Sequence, residues 1–154
     1  MRQTRKKPEG VAREYISSSQ DPSGFRVEII PPKCLGIITK IRRNKGEYLL
    51  CYHGNLIILK EGEELEDIIP STFRYFFSWQ QKDLCVDATE KTNKFGRLVN
   101  HGRREKNSVM KTIECEGKLY LCLFAAKDIL PQEEILYDYG ISNLPWEIGS
   151  KTNR

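Results

Sequence analysis

Gly96-Arg97-Leu98-Val99-Asn100-His101-Gly102 and, further along, Glu134-Ile135-Leu136-Tyr137-Asp138-Tyr139-Gly140 are the stretches on which the reading of this chain turns. Each is an apolar, strand-like run that ends in polar residues a plain core strand would not bury. Asn100 and His101 offer an amide and an imidazole. Tyr137 and Tyr139 are two apart, so in an extended chain both phenols point to one side. Two phenols on one face, with the Asn-His pair elsewhere, would make a narrow polar-aromatic channel for a cation.

Around these stretches the composition is ordinary. The 154 residues are 39% hydrophobic and 30% charged, which suits one domain with a real core. The net charge of +4, with both signs well mixed, is a weak pointer to a nucleic-acid or chromatin setting. The cysteines Cys34, Cys51, Cys85, Cys115 and Cys122 are odd in number and form no Cys-x-x-Cys pair, and no signal-peptide pattern opens the chain. A reducing, intracellular compartment is expected, with no structural zinc site. No apolar run reaches the length of a membrane span, and the chain reads as a monomer.

Residues 1–23 are polar, with Arg5-Lys6-Lys7, Ser17-Ser18-Ser19 and Asp21-Pro22-Ser23, and read as a flexible basic arm. From Gly24 the chain is strand-rich. Strands are expected at Phe25–Ile30, Gly36–Ile41, Tyr48–Tyr52, Leu56–Leu59, Arg74–Trp79, Leu84–Ala88 and Ile135–Tyr139. A hairpin joins Met110–Cys115 to Leu119–Ala126 through Glu116-Gly117. The one helix pattern is Lys60–Ile69, with Leu65, Ile68 and Ile69 on a stripe and Pro70 as its stop. Its acids Glu61, Glu63, Glu64, Glu66 and Asp67 would face either a basic tail or water. Many short strands and little helix predict a compact, mainly β fold of small sheets.

In this order and spacing, Tyr52-His53-Gly54, Cys85-Val86-Asp87-Ala88-Thr89, Gly96 to His101 and Glu133 to Gly140 resemble the SET-domain protein lysine methyltransferases. Within that family the pattern is most similar to the branch that monomethylates histone H4 at lysine 20. The resemblance runs over residues 24–140, leaving 141–154 as a short tail. It implies S-adenosylmethionine as cofactor, a histone H4 tail or another Lys/Arg-rich tail as substrate, in a nucleosome or free, and a nuclear, chromosomal location. It also implies a pseudoknot formed by the Asn-His segment and the C-terminal Tyr strand, one segment passing under the loop of the other; ordinary topology rules would not supply this.

The resemblance assigns roles residue by residue. Tyr139 matches the catalytic tyrosine beside the methyl and amine. Tyr137 matches the position where the family carries Tyr or Phe, and Tyr implies that one methyl is the limit. Tyr52 matches a third channel aromatic. Asn100 and His101 match the cofactor pair, His101 acting largely through its backbone. Lys33-Cys34-Leu35-Gly36 matches the first cofactor stretch, Phe73 a channel tyrosine, and Trp146 the tail aromatic over the cofactor. The plainer alternative for the tyrosines is half-buried strand residues with satisfied hydroxyls. A turn role is the alternative for His53 and His101.

Departures gather on the cofactor side. The family's Gly-x-Gly keeps only Gly36, with Cys34 and Leu35 replacing a glycine and a basic residue. Cys51 stands where an acid precedes Tyr-His-Gly, and Gly102 stands for the serine after Asn-His. A second reading is therefore a SET-like module that binds basic tails without methyl transfer. A third is a small β-barrel that stacks nucleic-acid bases on Arg74, Tyr75, Phe76 and Phe77.

Overall fold

A computed structural model describes residues 7–32 and 35–138. Lys33, Cys34, Tyr139, Gly140 and Trp146 of the expected site lie outside the described residues. The chain divides into two compact units, one built from the residues up to His53 together with Asn93–Asp138, the other from Gly54–Thr92.

The first unit opens on a helix, α1 (Pro8–Ser18), where a flexible arm was expected. Pro8 sits in the first turn, where a missing N–H costs nothing, and Ser19 closes the helix in a left-handed conformation at φ 55°. Ala12 and Ile16, four apart, are buried on one face. They enter a cluster with Tyr48, Cys51, Ile113, Cys122 and Phe124. Tyr15 stacks on Tyr48 at 5.8 Å, and Tyr48 meets Phe124 edge-on at 5.8 Å. That apolar contact fixes a segment whose termini are rich in charge and serine.

Strands β1 (Phe25–Ile29) and β2 (Leu35–Thr39) form an antiparallel pair, Phe25 opposite Thr39 and Ile29 opposite Leu35. Arg43, buried, lies 4.0 Å over the Phe25 ring and donates to Ser23 O at 2.8 Å. Strand β3 (Tyr48–Tyr52) is buried along its whole length. In the second unit, β4 (Asn55–Ile58), β5 (Arg74–Trp79) and β6 (Lys82–Asp87) form a sheet in the order β4-β6-β5. The β5–β6 turn is Gln80-Gln81, both at positive φ (49° and 66°), so the expected separate strands are one hairpin.

Helix α2 (Leu59–Ile68) covers that sheet. Its buried residue is Gly62, where a Cβ would lie 2.7 Å from Phe76 Cε1 and 3.0 Å from Cys85 Cβ. The expected stripe is thus misplaced: Ile68 and Ile69 are 74% and 66% exposed, because the helix approaches through Gly62. Arg74 is buried and ion-paired to Glu66 at 2.8 Å and Asp87 at 3.6 Å, and Phe76 belongs to the core. Two of the four residues of the stacking reading, Arg74 and Phe76, therefore face inward, while Tyr75 and Phe77 are half-buried on the other face of the strand.

The remaining strands are β7 (Asn100–His101), β8 (Ser108–Cys115), β9 (Lys118–Ala125) and β10 (Leu136–Tyr137). With β3 they form one sheet in the order β3-β9-β8-β10-β7. β10 lies between β7 and β8 and is parallel to both, Leu136 opposite Asn100, and Tyr137 opposite His101 and Ser108. Since β7 and β8 are joined by 102–107, the later strand runs through that connection. This is the expected pseudoknot in a mainly β fold.

Candidate functional site

The threaded strand is too short to be held by ladder bonds alone. Asn107, buried in the connection, substitutes for a strand: its Nδ2 donates to Glu134 O at 2.8 Å and its Oδ1 accepts from Leu136 N at 2.9 Å. Ser108 Oγ donates to Leu136 O at 2.8 Å, and Gly102 N donates to Tyr137 O at 3.0 Å. Sequence reading missed Asn107. Its one signal is an uncharged amide at the end of the charged run Arg103-Arg104-Glu105-Lys106.

Just before β10, residues 132–135 run along β2. Thr39 N donates to Glu133 O, Ile135 N donates to Ile37 O, and Ile38 bridges Glu134. This brings three candidate residues into one place. Asn100 Nδ2 donates to Leu35 O at 2.8 Å and to Glu134 Oε2 at 2.9 Å. A Cβ on Gly36 would stand 2.6 Å from Glu134 Oε2 and from Ile30 Cδ1 and 2.9 Å from Asn100 Nδ2, so any larger residue in place of this glycine of the expected cofactor stretch would displace those side-chain ends. Leu35 serves through its carbonyl, while its side chain is 40% exposed.

His101 is exposed, its Nδ1 3.8 Å from Asp138 Oδ1, and Lys106 Nζ is 3.8 Å from Asp138 Oδ2. Tyr137, beside it in β10, is 4% exposed, and Tyr52 at the end of β3 is 3% exposed. The short 3-10 helix Gly96–Leu98 ties β3 to the Asn-His segment: a Cβ on Gly96 would lie 2.6 Å from the Cys51 carbonyl carbon. Phe73 belongs to the second unit, half-buried ahead of β5, its carbonyl accepting from Ala88 N at 2.7 Å. The structure therefore groups Leu35, Gly36, Asn100, His101 and Tyr137 around the threaded strand.

Of the titratable groups that are shifted, two stand in or beside the Tyr52-His53-Gly54 stretch. Burial pushes the His53 imidazole below its ordinary value, Asp21 opposing and Lys94 adding to the shift. A hydrogen bond with Cys122, then burial, pushes the Cys51 thiol well up. Cys51 and Cys122 are opposite one another on β3 and β9 and fully buried. Cys51 is thus a core residue, although it stands where the resemblance has an acid. Among the described residues no group of three or more His, Cys, Asp or Glu side chains is gathered as a metal would need, and no helix is long and apolar enough to cross a membrane.

Residues 35–140 match the SET domain. This chain belongs to the SET-domain family. It is similar to the N-lysine methyltransferase KMT5A-A of Danio rerio, 37% identical over 132 residues that make up 82% of this chain and 38% of the relative. It is also similar to the histone-lysine N-methyltransferase set-1 of Caenorhabditis elegans, 32% identical over 75% of this chain and 52% of the relative. The crystal structure of CpSET8 from Cryptosporidium superposes with a TM-score of 0.78 at 29% identity, over 93% of this chain and 69% of that one. The chain spans about two fifths of the length of the KMT5A relatives it matches.

Proposed function

We propose that this chain is an S-adenosylmethionine-dependent protein-lysine N-methyltransferase that places one methyl group on a lysine of a basic histone tail, histone H4 foremost, in the nucleus. The observation that carries the reading is the insertion of β10 between β7 and β8, which sets Asn100, His101 and Tyr137 side by side with Gly36 against the Asn100 amide.

The residues fit the amino-acid end of the cofactor. Asn100 has given both amide hydrogens to Leu35 O and Glu134 Oε2, which leaves its carbonyl to accept from an ammonium group. The bound cofactor supplies a sulfonium-activated methyl group that an amine takes by in-line displacement. The protein's share is alignment, worth on the order of 7–11 kcal/mol when both partners are held in line. It must also deliver a neutral amine from a lysine whose reference pKa is ~10.4. Tyr52 and Tyr137 are both buried, and a channel walled by them and by Tyr139, as the resemblance assigns them, disfavours the ammonium form, so its proton leaves to water before transfer. Tyr139 is the residue assigned to the reacting atoms. The Tyr137 hydroxyl crowds the amine and limits the product to one methyl.

Incubation with labelled S-adenosylmethionine and histone H4 or nucleosomes should label H4, and Tyr139→Phe should abolish the label. A folded wild-type chain that labels no histone overturns the reading. The altered Lys33-Cys34-Leu35 stretch favours the second reading, a tail-binding module; calorimetry separates the two, since the module would bind peptide with no heat from cofactor.

A further inference from the structure

Glu134 takes no part in the roles assigned so far, yet its carboxylate accepts a hydrogen bond from the Asn100 side chain. We infer that Glu134 is a positioning residue: it fixes the Asn100 side-chain amide so that the carbonyl, and not the NH2, faces the α-ammonium of an amino-acid-bearing nucleoside ligand. The inference rests on the cofactor reading above and deepens it.

The argument is one of valence. An asparagine amide has two donor hydrogens and one acceptor oxygen, and rotation by a half turn exchanges them. Asn100 Nδ2 faces two acceptors, Leu35 O at 2.8 Å and Glu134 Oε2 at 2.9 Å. A carboxylate only accepts, so the rotated amide would set its oxygen against two oxygens and lose two hydrogen bonds, one of them charge-assisted. Leu35 O alone ties down one hydrogen; Glu134 ties down the second. No described residue donates to Asn100 Oδ1, which is therefore the valence left for a ligand.

Glu134 is itself held from several sides. Its backbone bridges Ile38 of β2, and its carbonyl accepts from Asn107 Nδ2 at 2.8 Å. A Cβ at residue 36 would lie 2.6 Å from Oε2, so Gly36 leaves the carboxylate its place. Gly36, Asn100 and Glu134 thus lock together three separated parts of the chain.

The test is calorimetric titration of the full chain with S-adenosylhomocysteine and with its α-deaminated analogue. The wild type should prefer the amine-bearing ligand by about tenfold or more, the worth of one charge-assisted hydrogen bond. Glu134→Ala should lose most of that preference, while affinity for the deaminated analogue stays within about twofold. Glu134→Met, similar in length and without an acceptor, should behave the same and serves if the alanine variant does not fold. Glu134→Gln, which still offers an oxygen to Asn100 Nδ2, should keep the preference within about threefold of wild type. Equal weakening of both ligands in Glu134→Ala and Glu134→Met, or no weakening in either, overturns the positioning role while leaving the cofactor reading intact. A folded wild type that binds neither ligand overturns the cofactor reading and this inference together.

Discussion

Replacing Gly96 by alanine should damage both the fold and the site. A Cβ there meets backbone, not a flexible side-chain end: it lies 2.6 Å from the Cys51 carbonyl carbon, closer still to its oxygen, and 3.1 Å from Tyr52 N. Carbon atoms rest at about 3.5 Å or more, so the two backbones must part by about 1 Å. Cys51 is fully buried, with Tyr48 and Phe124 in the same cluster, so little can move aside. Overpacking of this kind costs about 1–3 kcal/mol and sometimes more, and backbone on both sides puts it near the top. At roughly 2–4 °C per kcal/mol for a chain of this length, the Tm should fall by about 6–12 °C. Gly10→Ala is the contrast: nothing lies within 4 Å of its Cβ, it sits in α1, and helix propensity alone should raise Tm by roughly 2–4 °C. Calorimetric melting of the three proteins at one concentration, with urea midpoints as a check, measures both effects. If Gly96→Ala melts within about 2 °C of wild type, the close approach does not exist and the tie from β3 to Asn100 is lost with it.

Two further outcomes follow from buried charge. His53 is held below its ordinary value of 6.5 by burial, so near that pH the unfolded chain takes up a proton that the folded chain refuses. Protons bound in the unfolded state then exceed those in the native state, and stability falls as pH drops through 6.5 toward the folded value. Between about pH 7.5 and 5.5, His53→Gln should therefore lose less Tm than wild type; an equal loss would show that His53 does not titrate across folding. Arg74→Ala strands the Glu66 and Asp87 carboxylates, half-buried at side-chain exposures of 22% and 14%, and should cost about 3–5 kcal/mol in urea unfolding. A cost below about 1 kcal/mol would mean that water replaces the guanidinium there.

Local structure was legible wherever local chemistry decides it. Alternation and turn residues place β1, β3 and the β8–β9 hairpin within a residue or two, since Glu116-Gly117 tolerates positive φ. Helix α1 carried a signature in Pro8 and the pairs Val11-Ala12 and Tyr15-Ile16, hidden between basic and serine runs. The α2 stripe was misread because hydrophobicity ranks Ile68 above Gly62, whereas close packing selected the glycine. Gln80-Gln81 is not a turn-forming pair by composition, so the β5–β6 hairpin left no local trace. In the candidate site, residue type and spacing drew attention to Asn100, His101 and Tyr137, and the resemblance alone assigned each a role. Glu134 and Asn107 were not singled out, because their partners lie 34 and 29 or fewer residues away in sequence and meet only once β10 is threaded.

That threading also changes how the departures weigh. Cys51 replaces an acid, yet its side chain faces Cys122 inside the sheet, and its carbonyl, which accepts from His53 N, lies where only a glycine at 96 leaves room. Leu35 replaces a basic residue, but Asn100 takes its backbone oxygen. Gly102 replaces a serine, and it too works through the main chain, donating to Tyr137 O with Leu136 side-chain atoms 3.1–3.3 Å from where its Cβ would be. At each of these positions the neighbouring strand is held by peptide groups, which every residue type except proline supplies in full. Side-chain identity is decisive instead where a valence or a volume is used up: Gly36 for space, Asn100 for two donors, Glu134 for a pure acceptor. All three of those residues are present, so the substitutions at 35, 51 and 102 leave the hydrogen-bonding groups around Asn100 in place.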